Sequence, residues 1–261
     1  MKKLITICLT LCLLFGLAAC GSSSNNNTPA NPLDDALLTS GKIIVGTSPD
    51  YPPFESLNAA GEVEGFEVDL LNAVMEIFNK QNGTNYTIEL KQMDFSTIIS
   101  ALQANQIDMG MSGFTYSPDR DCIFATPHLV SKQVIVTRED TGINGPEDLP
   151  GKKVAAGTGT TGAEALGEVI GADNVLYPGD YTVMFQSLAA GQLDAVVADE
   201  AVGDNYVAEF GLKKCETTLI DEEMSFIIKT GNTALADAFN KAIEEYMKTD
   251  AYKALLEAYG L

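Results

Sequence analysis

The feature that most constrains the fold of this chain is a regular alternation of strand-like and helix-like segments over residues 42–198. Short apolar runs are followed by segments in which apolar residues recur at helical spacing, one of them opened by the capping residue Asp94. This alternation predicts an α/β fold with mainly parallel sheets that are covered by helices on both faces. The predicted strands are 42–47, 86–90, 107–111, 153–156, 175–177 and 195–198, and the predicted helices are 67–79, 95–103, 161–170 and 181–190.

The chain also contains an internal similarity at a constant offset of 86 residues. Segment 101–112 (ALQANQIDMGMS) matches segment 187–198 (SLAAGQLDAVVA), and each copy reads as a helix end, a tight turn and a buried strand. Any helix–turn–strand unit can look this way, so the match can also arise without a repeat. A true repeat predicts two similar α/β lobes whose strands end at a shared cleft, where ligands of open α/β sheets bind.

The stretch MSGFTYSPDR, residues 111–120, places one arginine after a buried strand and several hydroxyl residues. Ser117 followed by proline predicts the start of a helix with Arg120 in its first turn. A cation there opposes the helix dipole, so an anionic ligand explains Arg120 better, because a guanidinium binds a carboxylate through two parallel hydrogen bonds. The alternative is a surface arginine paired with Asp119 or Asp121.

The second copy of the similar segment leads into Asp199, which would then face Arg120 across the cleft. An α-amino acid carries a carboxylate and an ammonium close together, and each needs a partner of opposite charge when it is buried. Arg120 and Asp199 together therefore predict a site for an amino acid.

The N-terminus has the pattern of an export signal. Two lysines precede an apolar run, residues 4–17, which is too short to span a membrane permanently. The sequence LAAC that ends at Cys20 resembles a bacterial lipobox, which implies a signal peptide at 1–19, lipid on Cys20 and anchoring to the outer side of the cell membrane. The alternative is an ordinary secreted protein. Residues 20–40 read as the lipidated cysteine and a flexible polar tether.

Charge and cysteine content narrow the possible partners. Without the signal, the chain has 14 basic and 36 acidic residues, a net charge of −22, which argues against nucleic acid as a partner. Cys122 and Cys215 are expected to be two buried thiols, and their sequence separation does not allow a disulfide to be asserted. No motif has the spacing of a metal site, and we expect no cofactor.

The glycine-rich stretch AAGTGTTG, residues 155–162, lacks the lysine and the spacing of a nucleotide-binding phosphate loop. A helix that begins near Thr161 would still attract an anion at its N-terminus, such as a ligand carboxylate.

Six motifs, in order, make residues 41–261 resemble the extracellular solute-binding proteins of family 3, the polar-amino-acid-binding subunits of ABC importers. The motifs are VGTSPDYPPFE, GFEVDL, MDFSTIISAL, MSGFTYSPDR, AAGTGTTG and LDAVVADE. The resemblance implies a type II periplasmic-binding-protein fold with two α/β lobes, a hinge of two chain crossings and ligand in the cleft. We expect lobe one at 41–130 plus 225–261 and lobe two at 131–224.

The resemblance also implies roles for individual residues. Arg120 would bind the ligand carboxylate, helped by Thr115 and by backbone N–H groups near Thr160 and Thr161. Asp199 would bind the ammonium.

Four further residues would complete the walls of the site. Tyr51 and Phe95 would supply aromatic surfaces, although each could instead belong to the core, while Ser112 would supply an acceptor for the ammonium and Gly113 a backbone contact. The full predicted ligand-binding set is Ser48, Asp50, Tyr51, Phe95, Ser112, Gly113, Thr115, Arg120, Gly157, Thr160, Thr161 and Asp199.

Departures from the family pattern bear on the ligand's side chain. Many relatives have an acidic residue where this chain has Ser48, and here the acid is Asp50 instead. Gly157 stands where glutamine-binding relatives have a lysine, which argues against glutamine. Gly157 and Ala198 together predict a roomier cavity.

We expect a monomer that delivers an L-amino acid to ABC permease and ATPase subunits. A dehydratase acting on amino-acid precursors and an amino-acid-sensing lipoprotein are the alternatives on the same fold. The chain has one histidine, His128, for which we expect a packing or hinge role, and no carboxylate pair is obviously poised for acid–base chemistry. We therefore expect no enzymatic activity.

Overall fold

The computed structural model describes residues 41–261; the predicted signal peptide, Cys20 and the tether lie outside the described residues. The strands are β1 (Lys42–Thr47), β2 (Ser56–Leu57), β3 (Val63–Glu64), β4 (Thr87–Gln92), β5 (Met109–Gly110), β6 (Cys122–Phe124), β7 (Leu129–Thr137), β8 (Val154–Ala155), β9 (Ala195–Asp199), β10 (Lys213–Met224) and β11 (Ile227–Lys229). The helices are α1 (Phe66–Asn82), α2 (Phe95–Gln103), α3 (Thr161–Ile170), α4 (Tyr181–Ala189), α5 (Glu200–Phe210), α6 (Thr233–Tyr246) and α7 (Asp250–Tyr259).

Most strands belong to two sheets, and both sheets are mixed. The first has the order β4-β1-β5-β11-β6 and the second the order β10-β7-β9-β8. β1 runs parallel to β4 and β5, and β8 runs parallel to β9, whereas β11 and β7 are antiparallel to their neighbours. The prediction of mainly parallel sheets is therefore right only in part: in each sheet one strand, β11 in the first and β7 in the second, runs against the others. β7 carries the chain into the second sheet and β10 carries it out, so these neighbouring strands must run in opposite directions.

The chain crosses between the sheets twice, and the two crossings lie side by side. One joins β6 to β7 and the other joins β10 to β11. Ala125 N–H donates to Phe226 O and His128 N–H donates to Met224 O, each over 2.9 Å. These hydrogen bonds hold the two connections together as a short ribbon.

The two similar segments have the same local structure. Asn105 and Gly191, related by the offset, both have positive φ in the turn after a helix, at 57° and 75°. The carboxylates of Asp108 and Asp194 each accept a backbone N–H of a neighbouring segment over 2.8 Å, from Ile44 and Lys153 respectively. The similarity therefore reflects one helix–turn–strand unit built twice, once for each sheet.

Two predicted elements are absent from the described residues. No helix follows Ser117: the chain makes a tight turn, closed by Arg120 N–H donating to Ser117 O over 3.2 Å, and then enters β6. Segment 175–177 forms only an isolated bridge between Leu176 and Ala155. In both places pairing with a neighbouring strand decides the conformation, and the local sequence does not encode it.

Helices α1 and α6 bury their apolar faces against each other and the first sheet, with the rings of Phe78 and Phe239 4.7 Å apart. Cys215 is buried, Cys122 is half-buried, and both are free thiols. In the part of the chain that the structure describes, no helix has the length and apolar character needed to cross a membrane.

Candidate ligand-binding site

A cavity of about 290 Å³ lies between the two sheets. Loops that follow β1, β5 and β8 form its walls, together with the last residue of β9 and the N-terminal ends of α2, α3 and α4. All of the predicted ligand-binding residues line this one cavity: Ser48, Asp50, Tyr51, Phe95, Ser112, Gly113, Thr115, Arg120, Gly157, Thr160, Thr161 and Asp199.

Arg120 is held between aromatic rings and backbone carbonyls. Its guanidinium donates to Thr115 O over 2.5 Å and to Gly159 O over 3.0 Å, and its central carbon lies 5.5 Å from the centroid of Phe95 and 5.3 Å from that of Phe114. Burial lowers the pKa of Arg120, yet a guanidinium stays charged in proteins. Two of its five N–H donors are used in these bonds, which leaves three for an anion.

Asp199 ends β9, and its side chain is 2% exposed. Its Oδ2 accepts the Tyr51 hydroxyl over 2.6 Å, and its Oδ1 accepts the Ser131 hydroxyl over 2.5 Å. Burial, and secondarily the nearby Glu222, raise the pKa of Asp199 to about 7, although hydrogen bonds from Ser131, Tyr51 and Gln133 oppose the rise. A cation beside this carboxylate would favour its ionised form.

Threonine hydroxyls connect the two sides of the cavity at the N-terminus of α3. Thr160 caps this helix by accepting Ala163 N–H over 3.1 Å. Thr161 lies 2.9 and 2.8 Å from the two carboxylate oxygens of Glu222 and 3.0 Å from the Thr115 hydroxyl. Because the Thr161 proton goes to Glu222, Thr115 is the donor to Thr161, and the three groups form one chain of hydrogen bonds.

The region beside Gly157 is filled, contrary to the prediction of a roomier cavity. A Cβ on Gly157 would lie 2.9 Å from the Tyr181 ring and hydroxyl and 2.9 Å from the Thr160 methyl carbon. Tyr181 packs on Tyr51 with ring centroids 4.6 Å apart, and its hydroxyl accepts Gly157 N–H over 3.3 Å. The small residue therefore admits an aromatic side chain of the protein.

Asp50 joins two segments that face each other across the cavity. Its Oδ1 accepts the Ser48 hydroxyl over 2.7 Å, and its Oδ2 accepts Tyr181 N–H, at the start of α4, over 3.0 Å. Burial raises the pKa of Asp50, hydrogen bonds from Ser48 and Tyr181 oppose the rise, and the charge of Asp180 adds to it.

The turn after β5 uses its polar groups within the protein. The Ser112 hydroxyl accepts Ser48 N–H over 3.2 Å. Gly113 has a φ of 57°, and its N–H donates to Glu67 Oε2 over 2.8 Å. The Gly113 N–H is therefore not free for a ligand, so a backbone contact with Gly113 would have to use another atom.

Several residues that line the cavity were not predicted from the sequence. Gln133 is 2% exposed in the middle of β7, and its Oε1 has no hydrogen-bond partner in the described structure. The sequence feature that could have indicated this residue is a glutamine at the start of the largely apolar run QVIVT. Tyr181 could have been suspected because it follows Asp180, the N-cap of α4, whose carboxylate accepts Val183 N–H over 2.8 Å. The other lining residues not predicted are Asp94, Ser96, Thr158, Tyr177, Gly179, Asp180 and Met184.

Comparison with known proteins agrees with this geometry. The family model described as bacterial extracellular solute-binding proteins, family 3, matches residues 43–261. An arginine-binding extracellular protein of Bacillus subtilis is 29% identical over 94% of this chain and 92% of its own length. A probable histidine-binding protein of Neisseria gonorrhoeae is 31% identical over 99% of this chain and 96% of its own.

Solved structures show the same fold. An ancestral arginine-binding protein, solved with arginine bound, superposes with a TM-score of 0.77 at 32% identity, and the match covers 84% of this chain and 98% of that one. The two sheets, the paired crossings and the cavity between them are thus the type II architecture of periplasmic amino-acid-binding proteins. The chain belongs to family 3 of the bacterial extracellular solute-binding proteins.

Proposed function

We propose that this chain is the substrate-binding component of an amino-acid ABC importer, and that Arg120 and Asp199 together hold the α-carboxylate and α-ammonium of an L-amino acid. One observation carries the proposal. A cation and a buried carboxylate line one cavity, and within residues 41–261 neither makes a salt bridge with any partner. Buried charges without partners are costly, so a zwitterion that supplies both missing charges would be bound strongly.

Neighbouring groups strengthen the proposed binding of the carboxylate by Arg120 and of the ammonium by Asp199. The N-terminus of α3 lies beside Thr161 and favours an anion, so it supports the carboxylate that Arg120 binds. Gln133 is the cross-strand neighbour of Asp199, and its side chain hydrogen-bonds to the Asp199 carboxylate, so it helps to hold the group proposed for the ammonium. Charge-assisted hydrogen bonds contribute about 1.5 to 3 kcal/mol each, so three or four of them reach the roughly 8 kcal/mol of micromolar binding.

Capture would proceed by closure of the two sheets around the ligand. Hydrogen bonds already join the sides of the cavity directly, from Tyr51 to Asp199, from Tyr181 to Asp50, and from Arg120 to the carbonyl of Gly159. A ligand that contacts both sides favours the closed form by its difference in affinity for the two forms. The paired crossings beside His128 would act as the hinge, with lobes at the boundaries expected from the sequence.

We also propose that the ligand's side chain is cationic. Once Arg120 and Asp199 are paired with the ligand, the cavity still has the carboxylates of Asp50, Asp94 and Asp180. Asp50 is desolvated beside Asp180, a repulsion that a cation would relieve. The relatives described as arginine- and histidine-binding support the same class.

The test is a panel of L-amino acids on the mature chain after unfolding and refolding to remove any co-purified ligand. A ligand at 100 times its dissociation constant stabilises the fold by about 2.7 kcal/mol, a clear rise in melting temperature. We expect this rise with L-arginine, its loss in Arg120→Ala, and its retention in the control Lys42→Ala, whose exposed side chain pairs with the exposed Glu89. If no amino acid shifts the melting of the wild type, the proposed function fails.

Selectivity for a cationic side chain is tested at Asp50. Asp50→Asn should weaken L-arginine binding more than tenfold in calorimetry and leave L-glutamine binding nearly unchanged, because only the cation loses a partner of opposite charge. Asp204→Asn, a change at an exposed carboxylate paired with Lys214, is the matched control. Equal losses for the two ligands would remove the argument for a cationic side chain.

No enzymatic activity is proposed, because the one histidine of the chain is fully buried and does not line the cavity. Turnover of prephenate or arogenate by the purified protein would overturn this. Lipid on Cys20, a monomeric state and delivery to permease and ATPase subunits are likewise proposals. Mass spectrometry of the membrane fraction, with Cys20→Ala as the control, tests the anchor. Amino-acid uptake with and without the chain tests import against a sensing role.

A further inference from the structure

Three ionisable side chains are fully buried beneath the cavity and take no direct part in the proposed binding. Glu55, Glu67 and His128 each have 0% exposure. Glu67 Oε1 lies 2.8 Å from His128 Nε2, and Glu67 Oε2 accepts Gly113 N–H over 2.8 Å. Fully buried carboxylates are rare unless they are paired, so hydrogen bonds or bound protons must offset the cost of burying these groups.

The hydrogen bonds determine where the protons lie. No donor among residues 41–261 reaches either carboxyl oxygen of Glu55. The backbone brings Glu55 close to Glu67, because Glu67 N–H donates to Phe54 O over 3.2 Å, and after burial the Glu67 carboxyl has the largest effect on the pKa of Glu55. Two carboxyl groups can share a hydrogen bond only if one of them keeps its proton. Since Glu67 receives donors from His128 and Gly113, Glu67 is the ionised member and Glu55 the protonated one.

The surroundings favour the same assignment. Burial raises the pKa of Glu55 well above its usual value, and the charges of Glu67, Asp50 and Asp199 raise it further. Burial also acts to raise the pKa of Glu67, but hydrogen bonds from Glu55, His128 and Gly113 lower it on balance. Because the lowered pKa keeps Glu67 ionised, its carboxylate can only accept, and His128 Nε2 is the donor in their 2.8 Å contact.

The cluster touches both the cavity wall and the paired crossings. Gly113, the backbone donor to Glu67, lies against the Tyr51 ring, which an added Cβ would approach to 3.4 Å. Glu55 closes the turn that presents Tyr51, since Tyr51 N–H donates to Glu55 O over 2.9 Å. His128 lies in the first crossing and is bonded to the second through Met224.

We propose that Glu55, Glu67 and His128 form a positioning group for the ligand. A proton kept on Glu55 lets the Glu67 carboxylate receive three hydrogen bonds, from Glu55, from His128 and from the Gly113 N–H. These bonds fix the Gly113 turn and Tyr51 against the paired crossings that form the hinge. The inference rests on the proposed function for its effect on affinity. The protonation pattern and the Glu67–Gly113 hydrogen bond do not depend on any ligand.

Glu67→Gln is the first test. An amide at residue 67 cannot accept from both His128 and Gly113, because one of its two polar atoms is a donor. We expect the affinity for L-arginine to fall at least tenfold and the Gly113 amide proton to lose its downfield NMR shift and its protection from exchange, while circular dichroism shows a folded chain. Glu89→Gln, at an exposed glutamate on β4, is the matched control and should change neither quantity.

Substitutions at Glu55 separate the shared proton from simple packing. Glu55→Leu fills the space without a donor, and we expect the same loss of affinity and of Gly113 protection as in Glu67→Gln. Glu55→Gln supplies an N–H donor to Glu67 and should restore most of both. The infrared difference between wild type and Glu55→Gln in D₂O at neutral pH should contain the C=O band of a protonated carboxyl group.

The outcomes distinguish this inference from the proposed function. If the wild type binds no amino acid, the proposed function fails, and the infrared band and the Gly113 amide still decide the protonation pattern. If L-arginine binds but Glu67→Gln keeps full affinity and Gly113 protection, or if the carboxyl band is absent, the positioning group is refuted.

Discussion

Lowering the pH from about 8 to about 5 changes the charge of one cavity residue that the proposed ligand needs. Burial and the nearby Glu222 raise the pKa of Asp199 to about 7, so in the free protein this carboxyl is mostly protonated at the lower pH. An ammonium requires the ionised form. L-Arginine suits the experiment because none of its own groups titrates in this range, whereas the imidazole of L-histidine does.

The size of the effect follows from the shifted pKa. At pH 6 about one Asp199 in ten is ionised and at pH 5 about one in a hundred, so the affinity for L-arginine should fall about tenfold per pH unit below 7. By pH 5 the loss is about 100-fold, or about 2.7 kcal/mol. The stability of the free protein depends on pH in the opposite direction to the affinity. Because folding raises the pKa of Asp199, the contribution of this group to the free energy of unfolding is lost as the pH rises toward 7.

Isothermal titration calorimetry measures both consequences. The dissociation constant is recorded from about pH 5 to about pH 8, and the experiment at about pH 5 is repeated in two buffers with different ionisation enthalpies. We expect about one proton to be released per L-arginine bound at that pH and almost none at pH 8. Asp199→Asn should bind weakly at every pH and should lose the proton release. Asp204→Asn, at an exposed carboxylate, should behave like the wild type.

A dissociation constant that stays within twofold across this range, with no proton release, would contradict the proposed role of the Asp199 charge in binding. It would mean that the ammonium does not bind to Asp199 or that the carboxyl is already ionised in the free protein. Proton release that persists in Asp199→Asn would assign the titration to another group.

Three further changes have defined expectations. Tyr51→Phe removes a hydroxyl 2.6 Å from Asp199 and should weaken L-arginine binding about tenfold in calorimetry, because one charge-assisted hydrogen bond is worth about 1.5 to 3 kcal/mol; unchanged affinity would exclude this link between the sides of the cavity. Arg120→Lys keeps the positive charge but loses the planar guanidinium, so the affinity for L-arginine should fall more than tenfold. An unchanged affinity would show that the charge alone suffices. Gly157→Ala places a methyl 2.9 Å from the Tyr181 ring and should cost about 1 to 3 kcal/mol in urea unfolding, whereas a neutral result would mean that Tyr181 moves freely.

The fold could be predicted from the sequence where local periodicity decides the structure. Strand β1 and helices α2 and α3 begin and end at the predicted residues, because their apolar spacing and, for α3, the Thr160 cap are encoded locally. The long strand β10 was missed. Its sequence, KKCETTLIDEEM, is largely polar, and it becomes a strand because β7 pairs with it across the register from Lys213 to Met224.

Some residues of the candidate site could likewise be predicted from local sequence, whereas others depend on tertiary packing. The sequence motifs predicted Asp199, which lies at a strand end, and Arg120, which lies in the turn before β6. Tyr181 and Gln133 reach the cavity only because the second sheet packs opposite the first, a relation that no local pattern encodes. The buried cluster of Glu55, Glu67 and His128 is also a product of tertiary packing, since His128 is 61 residues from Glu67 in the sequence.

The most direct test of the proposed roles of Arg120 and Asp199 is a crystal structure of the mature chain with bound L-arginine. We expect the ligand in the cavity between the two sheets, with its α-carboxylate within hydrogen-bonding distance of the Arg120 guanidinium and its α-ammonium within that distance of the Asp199 carboxylate. A ligand bound elsewhere, or bound in this cavity with its carboxylate away from Arg120 and its ammonium away from Asp199, would contradict these roles.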